Sequence, residues 1–194
     1  MSPVISELAF IVIPVILCSI AVKLVDDFLD RDLDTRAGCS NFSNTFGNGA
    51  IVYGMLSLSL AASMNASVSI PLFLASYSIG MFNDFKKTFT SGLSGLQESL
   101  LVFILGVMLW GWQNMLFSIF FIFSIQLFDD YVDIYTDQLA GYRNFAHRIG
   151  KVECLLLSIL TLCISWRISE HLFPGVLLGT AIFYSILFYY QRGR

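Results

Sequence analysis

The sequence predicts an all-α, polytopic bundle of about seven transmembrane helices forming a single domain, residues 1–194, and three observations carry that reading. Of the 194 residues, 56% are hydrophobic and 13% are charged, about half the charged share of an ordinary soluble domain, and the mean hydropathy is +0.74. Apolar runs recur along the whole chain, each near or somewhat short of the roughly 20 residues that cross a bilayer. These runs also lack the polar alternation of a barrel strand, which leaves the helix as the spanning structure able to satisfy its own backbone in hydrocarbon.

The first run is Leu8 to Leu24. The segment MSPVISELAF ahead of it carries Glu7 and neither Lys nor Arg, so it lacks the basic region of a secretory signal and the run is expected to stay in the mature chain. Ala50 to Ala66 and Val68 to Phe82 are the second and third runs. Leu96 to Phe128 would be about 50 Å long as one helix, so it is divided at Gly111 to Asn114 into Leu96 to Trp110 and Met115 to Phe128. Val152 to Trp166 and Leu172 to Tyr190 complete the set. No Pro-rich linker or low-complexity tract divides the chain. Cys18, Cys39, Cys154 and Cys163 have no metal-ligand spacing, and three of them lie in apolar runs, where they serve as small hydrophobes. Asn41 and Asn65 each open an Asn-X-Ser triplet, read here as chance sequons.

The basic residues fix an orientation. If the first helix ends on side one, that side receives Arg31, Arg36, Lys86, Lys87, Arg143, Arg148, Lys151, Arg192 and Arg194, with Lys23 at its edge, and the other side receives Arg167 alone. By the positive-inside rule side one is cytoplasmic and the amino terminus lies outside. Trp110, Trp112 and Trp166 fall at the outer helix ends, as interfacial anchors do.

Nine of the fourteen acids lie in two short segments at cytoplasmic helix ends. Residues 26–38 aligned with 129–141 match at six of thirteen positions: Asp26 with Asp129, Asp27 with Asp130, Asp30 with Asp133, Asp34 with Asp137, Ala37 with Ala140 and Gly38 with Gly141. The flanking helices show no comparable similarity, so this is a repeated local motif. Helical spacing puts Asp27, Asp30 and Asp34 on one stripe, and Asp130, Asp133 and Asp137 on another. Like charges so placed repel, and something positive must offset them. Hard oxygen ligands, few per ion and near a substrate phosphate, are what Mg2+ prefers. A solvated acidic loop explains one cluster but not two matched copies. An EF-hand beginning at Asp30 is excluded, since Thr35 replaces its glycine and Asn41 its closing glutamate. A carboxylate-lined ion pathway is not visible, because Glu98 is the sole other acid near a helix core.

These motifs resemble those of the UbiA superfamily of intramembrane prenyltransferases. DDFLDRDLD is similar to that family's first aspartate motif, and DDYVDIYTDQLAGYRNFAHRIG to its second with the basic loop that follows. The resemblance implies a UbiA-like fold and Mg2+-dependent ionisation of an isoprenoid diphosphate in a helical cavity. By the same resemblance Asp27, Asp30 and Asp34 bind one metal ion and Asp130, Asp133 and Asp137 the other, with Asp26 and Asp129 beside them. FNDFKK looks like an aromatic-plus-basic segment in which Lys86 or Lys87 neutralises diphosphate, and Arg143 occupies the second motif's basic position. The chain departs from the family pattern in having about seven helices where nine are usual, no Arg-Pro pair after the first motif, and Phe82 where a Tyr is common.

Aromatic faces attract a carbocation, and Tyr53, Tyr77, Phe82, Phe85, Phe121 and Tyr131 are the candidates. The expected activity is transfer of the prenyl group to a lipophilic acceptor. A terpene cyclase using the same metal ions without an acceptor is the alternative, and a non-catalytic cation-binding or transport protein is a third reading. Membrane lipids are expected partners, and nucleic acid is not.

Overall fold

A computed structural model of the chain describes residues 3–37, 41–81, 88–89, 91–140 and 144–192. Among these residues the regular structure is helical, with one isolated bridge between Thr88 and Ser94. The helices are α1 (Pro3–Leu29), α2 (Arg31–Ala37), α3 (Ser43–Phe46), α4 (Gly49–Gly80), α5 (Gly95–Trp110), α6 (Trp112–Val132), α7 (Ile134–Ala140), α8 (Phe145–Ile149), α9 (Lys151–Ile168) and α10 (Phe173–Arg192).

Four helical stretches are long and apolar enough to cross a membrane: Glu7–Leu29, Gly49–Gly80, Trp112–Val132 and Phe173–Tyr190. The difference from the seven runs of the sequence has a local cause. The second and third runs are both inside α4, where Asn65 (φ −155, ψ 84) interrupts the helix. The fourth is α5, an apolar helix of 16 residues. The fourth and fifth runs, expected to be parted at GWQN, separate at Gly111, whose φ of +86 ends α5 and starts α6. A side chain is strained at that φ, and glycine is not.

The chain divides into two compact units, residues 1–70 with 171–194, and residues 71–170. In the first, α1 and the opening half of α4 run antiparallel. The carbonyl of Leu17 accepts from Ser57 Oγ at 2.8 Å and that of Phe10 from Asn65 Nδ2 at 3.2 Å. The Asn65 interruption therefore sits beside the amino-terminal part of α1, at the end away from the acids. α10 packs on α1 in parallel, through Gly175 against Ile11 and Gly179 against Val15. This is the small-xxx-small spacing that lets helix backbones approach in lipid. At the acid end, the rings of Tyr190 and Phe42 stack at 5.4 Å.

The second unit rests on an antiparallel pair, α6 with α9. Small polar side chains join the two backbones: Ser158 Oγ donates to the carbonyl of Ser124 at 2.9 Å, Ser165 Oγ to that of Phe117 at 3.3 Å, and Cys154 Sγ to that of Leu127 at 3.2 Å. Hydroxyls that can also bond within their own helix add little polarity and allow close packing. Gln113 Nε2 reaches the carbonyl of Ile168 at 2.8 Å, which puts Trp112 and Trp166 at one end and the second acid segment at the other. α5 lies close on α6 because Gly106 leaves room for Met115.

A Cβ at Gly179 would stand 2.9 Å from Val15 and 3.0 Å from the backbone of Val12. Gly179→Leu is expected to pry α10 from α1, costing about 1–3 kcal/mol by overpacking and lowering the unfolding temperature of the detergent-solubilised protein. Gly80→Leu, where a Cβ meets no atom within 4 Å, is the control.

Candidate functional site

Each acid segment begins as the end of a long helix. α1 gives way to α2 at a bend on Asp30, and α6 to α7 at a bend on Asp133. Helical hydrogen bonding survives both bends, with Asp30 N to Asp26 O at 2.9 Å and Asp133 N to Asp129 O at 2.8 Å. The three- and four-residue spacing therefore keeps the acids of each segment close together, and the cost of that crowding is met in the same way twice.

In the first unit Asp27 is 2% exposed. One of its carboxylate oxygens takes the ammonium of Lys23 at 2.9 Å, and the other accepts the backbone N–H of Phe42 at 2.8 Å. Asn41 closes the frame. Its Nδ2 donates to the carbonyl of Asp27 at 2.6 Å and to Asp34 Oδ2 at 2.5 Å, while its Oδ1 accepts from Ser43 N at 2.7 Å.

The second unit repeats this arrangement with every residue number raised by 103. Asp130, 5% exposed, accepts from Gln126 Nε2 at 3.4 Å and from the N–H of Phe145 at 2.9 Å. Asn144 Nδ2 donates to the carbonyl of Asp130 at 2.8 Å and to Asp137 Oδ2 at 2.7 Å, and its Oδ1 accepts from Ala146 N at 2.7 Å. Both asparagines are nearly enclosed, at 4% and 3% exposed. Full use of the amide donors and acceptor in each case is what burial of an asparagine demands.

The copies differ in charge. Lys23 supplies a cation to Asp27 where Gln126 supplies a neutral amide to Asp130. Burial pushes the Asp30 carboxyl above its ordinary pKa, and the neighbouring Asp34 charge adds to the rise against the pull of Lys23. A divalent cation would relieve that crowding.

The structure brings Asp27 and Asp34 together through Asn41, and Asp130 and Asp137 through Asn144. Asp26 and Asp133 are exposed, while Asp30 and Asp129 are half-buried. Among the described residues no three His, Cys, Asp or Glu side chains converge as a ready-made metal cage. The donor set still suits Mg2+, which is usually held by one or two carboxylates, with water and substrate oxygens completing the shell. Arg31, Asp32, Thr35 and Asn44 line an open groove along α2.

Lys86, Lys87, Arg143, Phe82 and Phe85 lie outside the described residues. Tyr53 is exposed and meets the ring of Phe46 edge-on at 5.5 Å. Tyr77 donates its hydroxyl to Glu98, which also accepts from Ser91 Oγ. Phe121 is fully buried and stacks on Phe117 at 5.9 Å, a core-packing role. Tyr131 lies under the ammonium of Lys151 at 5.1 Å, with Tyr135 at 5.0 Å from the same ammonium.

Lys23, Gln126, Asn41 and Asn144 were not legible as site residues from the acid spacing. The signal for the asparagines lies three residues beyond the last matched position: continued at the same offset, the two segments also share Asn41 with Asn144, Phe42 with Phe145 and, nine residues beyond it, Gly47 with Gly150. Both of those glycines have positive φ, +57 and +106, so each frame closes on the same kind of turn. Comparison with protein-family models, curated proteins and solved structures gave no match, and the likeness to UbiA enzymes rests on the motifs themselves.

The Lys23 and Gln126 equivalence gives a stability test. Lys23→Leu leaves the Asp27 carboxylate buried without its ammonium and is expected to cost about 1.5–3 kcal/mol. Lys23→Gln, which copies the second frame, should recover most of that loss in thermal unfolding.

Proposed function

We propose that the chain is a multi-pass membrane enzyme with a UbiA-like bundle, a Mg2+-dependent prenyltransferase that ionises an isoprenoid diphosphate between its two aspartate motifs and passes the prenyl group to a lipophilic acceptor. The observation that supports this most is the pair of matching hydrogen-bonded frames. Each ends an apolar helix, and each gathers carboxylates that repel one another unless a cation is shared. A merely solvated acidic loop has no reason to bury an aspartate and an asparagine twice in the same geometry.

The seven-span topology is part of the proposal. The antiparallel register of the first half of α4 on α1 and the parallel register of α10 on α1 support an odd number of passes from α1 to α10, while an amino terminus outside and acid segments at the cytoplasmic face are proposed from the basic residues alone. The reading requires the two frames to open onto one cavity.

Asp30 and Asp34 in one motif, with Asp133 and Asp137 in the other, would hold Mg2+, and Asp26, Asp27, Asp129 and Asp130 complete the acidic surround. When bound, the ions supply positive charge against the leaving diphosphate. The chain does the rest. Lys86, Lys87 and Arg143 are proposed to neutralise diphosphate oxygens, so that the carbon–oxygen bond breaks with its electron pair passing to the diphosphate. Apolar helices exclude the water that would quench the carbocation, and aromatic faces such as Tyr53, Tyr77 and Phe82 stabilise it. Tyr131 is the weaker candidate, because Lys151 already occupies one of its faces.

Purified protein incubated with Mg2+, isoprenoid diphosphates of several chain lengths and lipophilic acceptors is expected to give a prenylated acceptor. A cyclic hydrocarbon or alcohol formed without acceptor would replace transfer by cyclisation, and absence of turnover across the panel would overturn the enzymatic reading. Asp30→Ala and Asp133→Ala are each expected to abolish turnover while the protein still inserts and elutes as a folded species. EDTA should lower the unfolding temperature little on its own and more in the presence of diphosphate, which completes the coordination.

A further inference from the structure

Two asparagines that no acid-spacing argument singles out occupy the same place in both frames. Asn41 and Asn144 each bridge the carbonyl of a motif's second aspartate and the carboxylate of its last, at 2.5–2.8 Å. In both cases the bonded partners lie 14 and 7 residues away, and in both the side-chain oxygen is taken by the backbone N–H two residues on. Asp27 and Asp130 anchor the same return of the chain by accepting the N–H of the following phenylalanine. Phe42 and Phe145 then fix it by ring contacts inside their own units, on Tyr190 at 5.4 Å and Phe123 at 6.2 Å.

We propose that Asn41 and Asn144 are equivalent positioning residues, each locking the last aspartate of its motif, Asp34 or Asp137, to the end of the long helix so that its carboxylate is held in one orientation for a divalent cation. This rests on the reading of the two acid segments as cation sites. The physical case is one of preorganisation. A carboxylate crowded by neighbouring carboxylates swings away from them unless it is tied, and an amide N–H ties it without neutralising it. An ammonium in the same place would compete with the cation for the charge, whereas the amide adds no charge of its own. Groups that orient a metal ligand in this way typically change metal affinity by about 10–100-fold when removed.

Other groups in the frames have a different task. Asp27 and Asp130 are committed to the backbone and to Lys23 or Gln126, so they build the frame that the asparagines tension. Ser43 Oγ lies 2.9 Å from the carbonyl of Asp27 and 2.5 Å from Asn41 Oδ1, yet the second frame has Ala146 in that position. The hydroxyl is therefore a local addition.

The test uses the full-length protein in detergent and Mn2+ as the probe, with binding read by electron paramagnetic resonance of the free ion, alongside the Mg2+ dependence of diphosphate turnover. Asn41→Ala and Asn144→Ala are each expected to weaken Mn2+ binding about tenfold or more and to raise the Mg2+ concentration for half-maximal turnover more than they lower kcat. Ser43→Ala should leave Mn2+ affinity within about twofold of wild type. Asn41→Asp and Asn144→Asp keep the side-chain size if the alanine variants fail to fold; each replaces the N–H donor by an oxygen and is expected to weaken binding in the same direction. Unchanged Mn2+ affinity in folded variants at both positions would overturn the positioning role while leaving the enzymatic reading intact. Wild-type protein that binds Mn2+ but turns over no diphosphate would overturn the enzymatic reading while the positioning role stands. Loss of affinity at one position alone would overturn the equivalence of the two frames.

Discussion

A carboxylate buried at the end of an apolar helix has to be answered by donors, and the way Asp27 and Asp130 are answered organises their surroundings. Each draws the chain that follows α2 or α7 back onto the long helix by accepting a backbone N–H 15 residues on. That single bond sets where α3 and α8 begin. It also places an asparagine beside the last aspartate of the motif and directs the next long helix, α4 or α9, back along the one before it. Without the return, Asp27 and Asp130 would each lose the N–H donor that adds to Lys23 or Gln126 in offsetting the repulsion among carboxylates at helical spacing.

The same task is solved with different chemistry in the two copies. Lys23 offers a charge where Gln126 offers an amide, and Ser43 offers a hydroxyl where Ala146 offers none. What stays constant is the aspartate that accepts the N–H, the asparagine that bridges, and the glycine with positive φ that ends the short helix. The constant parts are those whose replacement would leave a buried polar group without a partner or strain a positive-φ turn, and the variable parts are those for which another group or simple packing suffices.

Packing between the long helices follows the rule for chains in lipid. Hydrophobic contact cannot by itself hold helices together where the solvent is equally apolar, so close approach at small residues and hydrogen bonds from hydroxyl or thiol groups do so. Gly175 and Gly179 serve α1 and α10, and Ser124, Ser158 and Ser165 serve α6 and α9. Large apolar side chains of α5 and α9, such as Leu105, Met108, Leu156 and Leu160, remain exposed.

Composition and the recurrence of apolar runs were enough to determine an all-helical chain with membrane-length helices, because the need to satisfy the backbone in hydrocarbon is independent of tertiary detail. The break at Gly111 was legible for a related reason: no single helix of that length fits a bilayer. Three- and four-residue spacing likewise put the aspartates of each motif together. Sequence reasoning could not see that Asp27 and Asp130 are anchors inside their frames, that Asn41 and Asn144 reach back across seven and fourteen residues, or that Lys23 and Gln126 play one part. Those roles depend on where the chain turns after the acids, and a turn is decided by which buried donors and acceptors find partners when the helices pack. Periodicity reports the face of a helix; only the folded chain decides which polar groups on that face are used up in holding it.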